Sequence, residues 1–254
     1  MVDAPAGVQS VSRAVSVLDA IADLGGQAAL SDIAEVLGLP APTVHRILRT
    51  LVEVDYVRQL STKQYALGPA LVHLGDRASR LLSTWATPIL ASLEAKVHET
   101  ANLAVLSGSM IAYVAQVPSR HQMRMFTEVG RRVYPHSTGV GKAILSTLGE
   151  DQVLSIVRQN GFPAFTTATI ADEATLKVEL AHARTVGFAV DEGEQEVGVR
   201  CVAVPVVGPP SPMAVSVSGP AARLGLTDAS NVIESLLTAA LELGVELSAS
   251  KTTG

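Results

Sequence analysis

Cysteine is almost absent from this chain of 254 residues: Cys201 stands alone, so no disulfide can close within it and no thiol pair exists to hold zinc. Positive charge is also in short supply. The formal net charge is −5, which excludes the broad basic field of a protein that coats nucleic acid regardless of sequence. Through Gly68, five basic residues (Arg13, Arg46, Arg49, Arg58, Lys63) stand against seven acidic ones (Asp3, Asp19, Asp23, Asp32, Glu35, Glu53, Asp55), a balance of −2. Contact with nucleic acid there would rest on a few placed cations, with affinity gained by pairing two copies on two half-sites. There is no run of about 18 apolar residues and no visible signal peptide, so the cytoplasm is the expected location, with no membrane partner. Internal repeats are missing too. Apolar residues are plentiful at 48%, and the length suits two domains better than one.

Residues 30–57, LSDIAEVLGLPAPTVHRILRTLVEVDYV, read as two short helices joined by a tight turn. Ser31 is placed to cap the first, and Gly38 to supply the left-handed residue that ends it. Pro40 and Pro42 open the second, where a missing N–H costs nothing. Val44, Ile47, Leu48 and Leu51 fall at i, i+3, i+4 and i+7, an apolar stripe that leaves Thr43, His45, Arg46, Arg49 and Thr50 around the remaining surface. Such a pair puts its second helix in the major groove of double-stranded DNA, although the same pattern also serves helical bundles. The following residues favour DNA. Residues 56–59 and 65–67 are β-prone runs around Ser61-Thr62-Lys63, a hairpin that reads as the wing of a winged helix. Arg58 and Lys63 would there lie near a phosphate strand. Upstream, Ser10 or Ser12 could cap a helix carrying Val11, Ala14, Val15, Leu18 and Ile21, ended by Gly25-Gly26. The expected organisation is a mobile tail at 1–8, a DNA-binding domain at 9–68, a linker helix at 69–83 and a second domain at 84–250.

The second domain begins with a helix bearing Trp85, Ile89, Leu93 and Val97. Strands are expected at 102–106, 110–117 and 122–127, the first two flanking Ser107-Gly108-Ser109. Helices follow at 139–148, 151–160 and 172–186, the last capped by Asp172 and ended by Gly187. Strands return at 188–191, 199–207 and 213–218, and Thr227 would cap a final helix toward Leu247. A sheet in two halves with helices between and outside is an α/β or α+β sensor architecture, not a doubly wound sheet.

Three stretches of this domain could carry chemistry. Residues 136–143, HSTGVGKA, run polar and glycine-rich into a helix, which is either an ordinary capped start or an anion seat. The spacing and ending of a nucleotide-binding P-loop are absent. Residues 191–201, DEGEQEVGVRC, read as a solvated acidic turn, unless Asp191, closing the apolar run Phe188-Ala189-Val190, turns inward to accept hydrogen bonds. Cys201 lies in a run apolar on both faces, where a buried inert thiol is the default. A thiol enzyme using Cys201 with His136 or His182 as base is disfavoured: no helix N-terminus or cation adjoins the thiol, and Arg200 faces the other way. In the strand at 213–218, Ser216 and Ser218 share one face while Val215 and Val217 share the other. Buried hydroxyls need partners, from backbone or from ligand. Together these groups suit a small acid that also donates hydrogen bonds, its carboxylate at Thr138 to Val140 and its OH or NH groups on Asp191.

The segments SVSRAVSVLDAI, LSDIAEVLGLPAPTVHRILRTLVEVDYV, YALGPALVHLG, VGRRVYPHSTGVGKAIL, GFAVDEGEQEVGVRCVAVPV and VSVSGPAARL occur in this order, and over roughly residues 9–247 the chain resembles the IclR family of transcriptional regulators. The resemblance implies an α+β protein: an N-terminal winged helix-turn-helix, a linker helix and a GAF-like α/β effector-binding domain. It implies homodimers or homotetramers on operator DNA, a small organic acid effector, no cofactor and no catalysis. Family ligand positions fall on Thr138, Gly139, Val140, Asp191, Cys201, Ser216, Val217 and Ser218. The expected DNA contacts are Pro42, Thr43, His45, Arg46, Arg49, Arg58 and Lys63. Within the family, MRMFTEVGRRV, PHSTGVGKA and LPAPTVHR are similar to repressors of allantoin (purine ureide) degradation, whose effector is glyoxylate or a ureide acid such as allantoate. Many members carry a hydroxyl where Pro42 stands, so the operator cannot be copied from the wider family. Two alternatives stay open: a regulator of aromatic or other organic acid catabolism, and a ligand-binding module whose helix-turn-helix serves only dimerisation.

Overall fold

The computed structural model describes residues 8–125, 127–208, 211–225 and 229–249, so the expected tail up to Gly7 and the expected Thr227 cap lie outside the described residues. The chain divides into two compact units, Met1–Ala78 and Ser79–Gly254. Among the described residues no helix is long and apolar enough to cross a membrane.

The first unit contains α1 (Gln9–Asp23), β1 (Gln27–Ala28), α2 (Leu30–Leu37), α3 (Ala41–Glu53), β2 (Val57–Gln59), β3 (Tyr65–Leu67) and the start of α4 (Ala70–Ser83). Val17, Ile21, Ile33, Val44 and Leu48 are wholly buried where α1, α2 and α3 meet, and Val57 and Tyr65 close the core from the sheet side. Gly38 ends α2 at φ 60°, and Pro40 caps α3 with Pro42 in its first turn. The serine caps do not form. α1 starts after Val8 and α2 after Ala29, neither with a side-chain cap, so Ser10, Ser12 and Ser31 all fall inside helices. Leu30 is drawn into the core and sets the start of α2, leaving the Ser31 hydroxyl to donate to Asp32 Oδ1 at 2.9 Å. The three strands pair antiparallel in the order β1-β3-β2, and β1 had no signature of its own in the sequence. At the wing tip Lys63 takes a left-handed φ of 65° so that its N–H reaches Leu60 O.

The second unit continues from α4 through α5 (Ala86–Val97), β4 (Thr100–Ser107), β5 (Met110–Val117), β6 (Arg132–Val133), a 3₁₀ turn (Pro135–Ser137), α6 (Gly139–Ser146), α7 (Glu150–Asn160), α8 (Glu173–Val186), β7 (Ala189–Glu192), β8 (Val199–Val206), β9 (Met213–Pro220) and α9 (Ala229–Ala249). The six strands form one antiparallel sheet, ordered β6-β5-β4-β9-β8-β7, its two halves joined along β4 and β9. The chain is therefore α+β, a helix-turn-helix unit followed by an α/β unit. One sheet face is bulky: Leu103, Val204, Val215 and Val217 pack on Leu90 and Leu93 of α5 and on Leu236 and Leu243 of α9. Each such side chain is worth about 1.5–3 kcal/mol on full burial. The opposite face is built from Ala104, Ala189, Ala203 and Ala214, on which Val140, Ala143 and Ile144 of α6 rest. Asp172 caps α8 by accepting from Thr175 N at 2.8 Å, and Gly187 ends it at φ 82°. The strand expected at 122–127 does not form among the described residues: 121–125 are irregular and Met123 is exposed. The outer edge of β5 is paired with β6 only at Ile111 and Ala112. Side chains hold this segment instead: Thr100 Oγ1 donates to Met125 O at 3.0 Å and Arg223 Nη2 to Met123 O at 2.9 Å.

Candidate functional site

Residues directly opposite in antiparallel strands point to the same face, so the register assembles the polar groups. Asp191 lies opposite Cys201, Cys201 opposite Ser218, and Ser218 opposite Thr100. In the adjoining row Ala203 lies opposite Ser216, Ser216 opposite Asn102, and Asn102 opposite Gln116. Asp191, Cys201, Ser216 and Ser218 therefore come together on the alanine face, under α6. Asn102 Nδ2 lies 3.5 Å from Ser216 Oγ and 3.4 Å from Ser218 Oγ, and Gln116 Nε2 donates to Asn102 Oδ1 at 3.2 Å. Val217 turns its side chain to the other face, into the core with Val215, so it offers the notch no side chain.

The start of α6 forms the roof. Thr138 is its N-cap, and the Thr138 hydroxyl accepts from Gly141 N at 3.2 Å while donating to Tyr134 O. The expectation that no helix N-terminus adjoins Cys201 is overturned: strand pairing brings the thiol under the first turn of α6, whose Val140 N–H is directed at its sulfur, although burial outweighs that pull on the thiol. Two glycines permit this approach. A Cβ on Gly139 would stand 3.0 Å from Cys201 O and 3.1 Å from its Sγ, and one on Gly141 would stand 2.3 Å from Pro135 O.

The acidic stretch that starts in β7 is only partly solvated: Glu192 and Glu196 are exposed, whereas Asp191 and Glu194 are buried. Asp191 is 4% exposed, and its Oδ1 accepts from Glu194 N at 2.7 Å. Burial pushes the Asp191 carboxyl up to about 7, against the opposing pull of the Glu194 N–H and the charge of Lys142. Glu194 turns inward to pair with Lys142, which is 1% exposed and also reaches Glu179 at 3.3 Å. Burial raises the Glu194 carboxyl as well. The Glu194 carbonyl accepts from Thr169 Oγ1 at 2.6 Å, and Ser137 Oγ donates to Gln195 Oε1 at 2.8 Å. The turn that carries Asp191 is thus held from three sides.

Burial, then the Asp191 charge, pushes the Cys201 thiol up to about 11, so it is neutral at physiological pH. Tyr113, on the same face, is raised by burial and by Cys201 and Asp191, and remains a phenol. His136 Nε2 is committed to Pro163 O at 3.1 Å and its ring packs on Phe162, while His182 is exposed on α8. Neither is placed as a base for Cys201. This buried polar cluster offers hydrogen-bonding groups but holds no activated nucleophile. Asn102, Tyr113 and Gln116 escaped the sequence reading because strand pairing alone brings them in. Lys142 did carry a signal, being a lone cation within the apolar helix GVGKAILS.

In the first unit, Pro42, His45, Arg46 and Arg49 are exposed on α3 and Thr43 is half-buried. At about 100° per residue, Pro42, Arg46, Arg49 and Glu53 lie on the side of α3 away from the buried line of Val44, Leu48 and Leu51. Arg49 Nε stands 3.7 Å from Glu53 Oε1, an exposed pair. Arg58 and Lys63 are exposed on the wing.

Comparison with known proteins adds the following. Residues 10–61 match the IclR helix-turn-helix domain, and residues 78–245 match the bacterial transcriptional regulator IclR C-terminal domain. The acetate operon repressor of Salmonella typhimurium is 37% identical over 224 residues, covering 85% of this chain and 82% of that protein. The transcriptional repressor AllR of Escherichia coli K12 is 32% identical over 228 residues, covering 86% and 82%. The crystal structure of an IclR transcriptional regulator from Alicyclobacillus acidocaldarius superposes with a TM-score of 0.80 at 28% identity, covering 94% of this chain and 99% of that one.

Proposed function

Because this chain belongs to the IclR family of bacterial transcriptional regulators, and so is a DNA-binding regulator and not an enzyme, we propose that it is a repressor released from its operator by a small organic acid. The observation that carries this is the notch under α6, where a helix N-terminus faces two serines, Asn102 and Asp191. The positive partial charge at the start of α6, where Thr138, Gly139 and Val140 lie, suits a carboxylate, which would compete with the Cys201 sulfur for the Val140 N–H. Asp191, Ser216 and Ser218 suit OH, NH or carbonyl groups at its other end, with Cys201 as a neutral wall. Glyoxylate and allantoate meet this description, which supports control of allantoin and purine ureide catabolism. The likeness to AllR points the same way. Control of another organic acid pathway is the second reading, favoured by the 37% identity to the acetate operon repressor.

In this reading a cytoplasmic homodimer or homotetramer sets two copies of α3 in successive major grooves. The DNA-binding domain spans 9–68, the linker helix 69–83 and the effector domain 84–250. Arg46 and Arg49 contact bases or phosphates, assisted by Pro42, Thr43 and His45, while Arg58 and Lys63 hold phosphates from the wing. An effector preferring the DNA-incompetent arrangement about 100-fold weakens operator binding by a similar factor, about 2.7 kcal/mol. Arg46→Ala costs about 1–3 kcal/mol of operator affinity if its contact is a bidentate one to guanine. Unchanged binding by that variant removes Arg46 from the reading surface. The test of the whole is a thermal-shift screen with glyoxylate, allantoate, pyruvate and 4-hydroxybenzoate, each hit then tried for release of a duplex from the chain's own upstream region. Stabilisation by 4-hydroxybenzoate alone overturns the ureide assignment.

A further inference from the structure

A groove of about 450 Å³ runs between the first turn of α1 and one flank of α3, lined by Gln9, Ser10 and Arg13 on one side and Thr43, Arg46 and Thr50 on the other. We propose that this groove seats the phosphate backbone of one DNA strand, making Arg13, with Ser10 and Gln9, part of the DNA interface alongside the reading helix. This rests on the DNA-binding reading of α3 and extends it to a second element.

Charge distribution is the main argument. The first 68 residues are acidic in balance, yet none of their described carboxylates (Asp19, Asp23, Asp32, Glu35, Glu53, Asp55) lines the groove, while two of their five cations do. Among the described residues neither Arg13 nor Arg46 makes an ion pair. Two unneutralised guanidiniums flanking one channel repel each other unless an anion lies between them. The polar part of the neutral lining fits the same occupant, while Ala14, Ile47 and Leu51 make the rest of the groove apolar. Gln9 and Ser10 are exposed and can donate to phosphate oxygens, as can the half-buried Thr43 hydroxyl. Thr50 cannot, since its hydroxyl already donates to Arg46 O at 3.2 Å. Arg46 belongs to both the groove and the outermost line of α3, so a strand seated in the groove runs beside the reading surface. A contact of this kind positions the protein without reading sequence.

The test is the salt dependence of binding by the full chain, measured on a duplex from its own upstream region and on calf-thymus DNA. Each neutralised phosphate contributes about 0.9 to the slope of log K against log[salt]. Arg13→Gln is expected to flatten that slope by about 2, one phosphate contact being lost in each half of the dimer, and to weaken both DNAs by a similar factor, at least about tenfold at low salt. Arg13→Lys is expected to restore the slope. Ser10→Glu, at an exposed position that leaves the core untouched, is expected to weaken both DNAs at least as much. Circular dichroism establishes that each variant is folded. An unchanged slope in Arg13→Gln, with wild-type binding intact, overturns the inference alone, as does a loss confined to the upstream duplex. A change in sedimentation with an unchanged slope assigns the groove to a second copy of the chain and overturns it too. Failure of the wild type to retard either DNA at low salt sinks the DNA reading itself.

Discussion

Asp191 is the residue at which the ligand notch meets the solvent's pH. An unfolded chain releases that proton near 3.8, whereas burial holds it in the native state up to about 7. Between these values the native state binds more protons than the unfolded one, so folding stability falls as pH rises from about 4 to about 7 and levels off above. Asp191→Asn keeps an oxygen to accept from Glu194 N but has no proton to lose. Urea titrations at pH 5 and pH 8 are expected to show the wild type losing on the order of 3 kcal/mol relative to the variant. Equal pH dependence in the two proteins would mean that Asp191 ionises freely. The same proton bears on the ligand: an ionised Asp191 repels an anion, so affinity for an acidic effector should decline as pH passes about 7. Cys201 has a complementary chemistry. With the thiol pushed up to about 11 and buried, native protein at pH 7.5 should resist iodoacetamide, while urea-unfolded protein reacts at once. Rapid native alkylation would contradict the inert role given to this side chain.

At the scale of elements, the seam between α6 and β8 is the most constrained contact near the notch. Gly139→Ala brings a methyl to 3.0 Å from Cys201 O, so the helix must lift from the strand; overpacking of this kind costs about 1–3 kcal/mol. Weaker effector binding should accompany that loss in a melting assay with and without ligand. Gly141→Ala, at 2.3 Å from the Pro135 carbonyl, should be worse, with little folded protein recovered. Legibility in the sequence followed the range of the interactions concerned. The stripe Val44, Ile47, Leu48, Leu51 and the alternation Ser216, Val217, Ser218 are local periodicities, and both appear in the fold as written. Asp172 and Gly187 bracket α8 for equally local reasons. β1 could not be read, since two residues become a strand only by pairing with Tyr65 and Ala66 some forty positions on. The Ser31 cap failed where the packing of Leu30 against the core, a tertiary event, sets the start of α2 one residue earlier. Asp191, Cys201 and the serines were individually visible, but Asn102, Tyr113 and Gln116 join them only through the register of β4, β5 and β9.

Across the whole molecule, the two units close separate cores, one around Val17, Ile21 and Leu48 and the others in the second unit around Leu103, Leu236, Ala104 and Leu145. Calorimetry of the full chain should therefore resolve two unfolding transitions. An effector at about 100 times its Kd should raise only the one belonging to the second unit, by about 2.7 kcal/mol. A single transition, or equal movement of both, would show the units to be thermodynamically fused. Within the second unit, the contrast between the two sheet faces has a consequence for how such a protein can change over time. Leucines and valines on one face supply the free energy of folding, while alanines and a few polar groups on the other supply little. Ala203, Ala214 and Ser216 are nonetheless wholly buried on the face that α6 covers, so a larger side chain at any of them overpacks that seam at about 1–3 kcal/mol. A lineage that exchanges one metabolite signal for another through these positions therefore needs stability in reserve, which a compensating substitution on the leucine and valine face can supply.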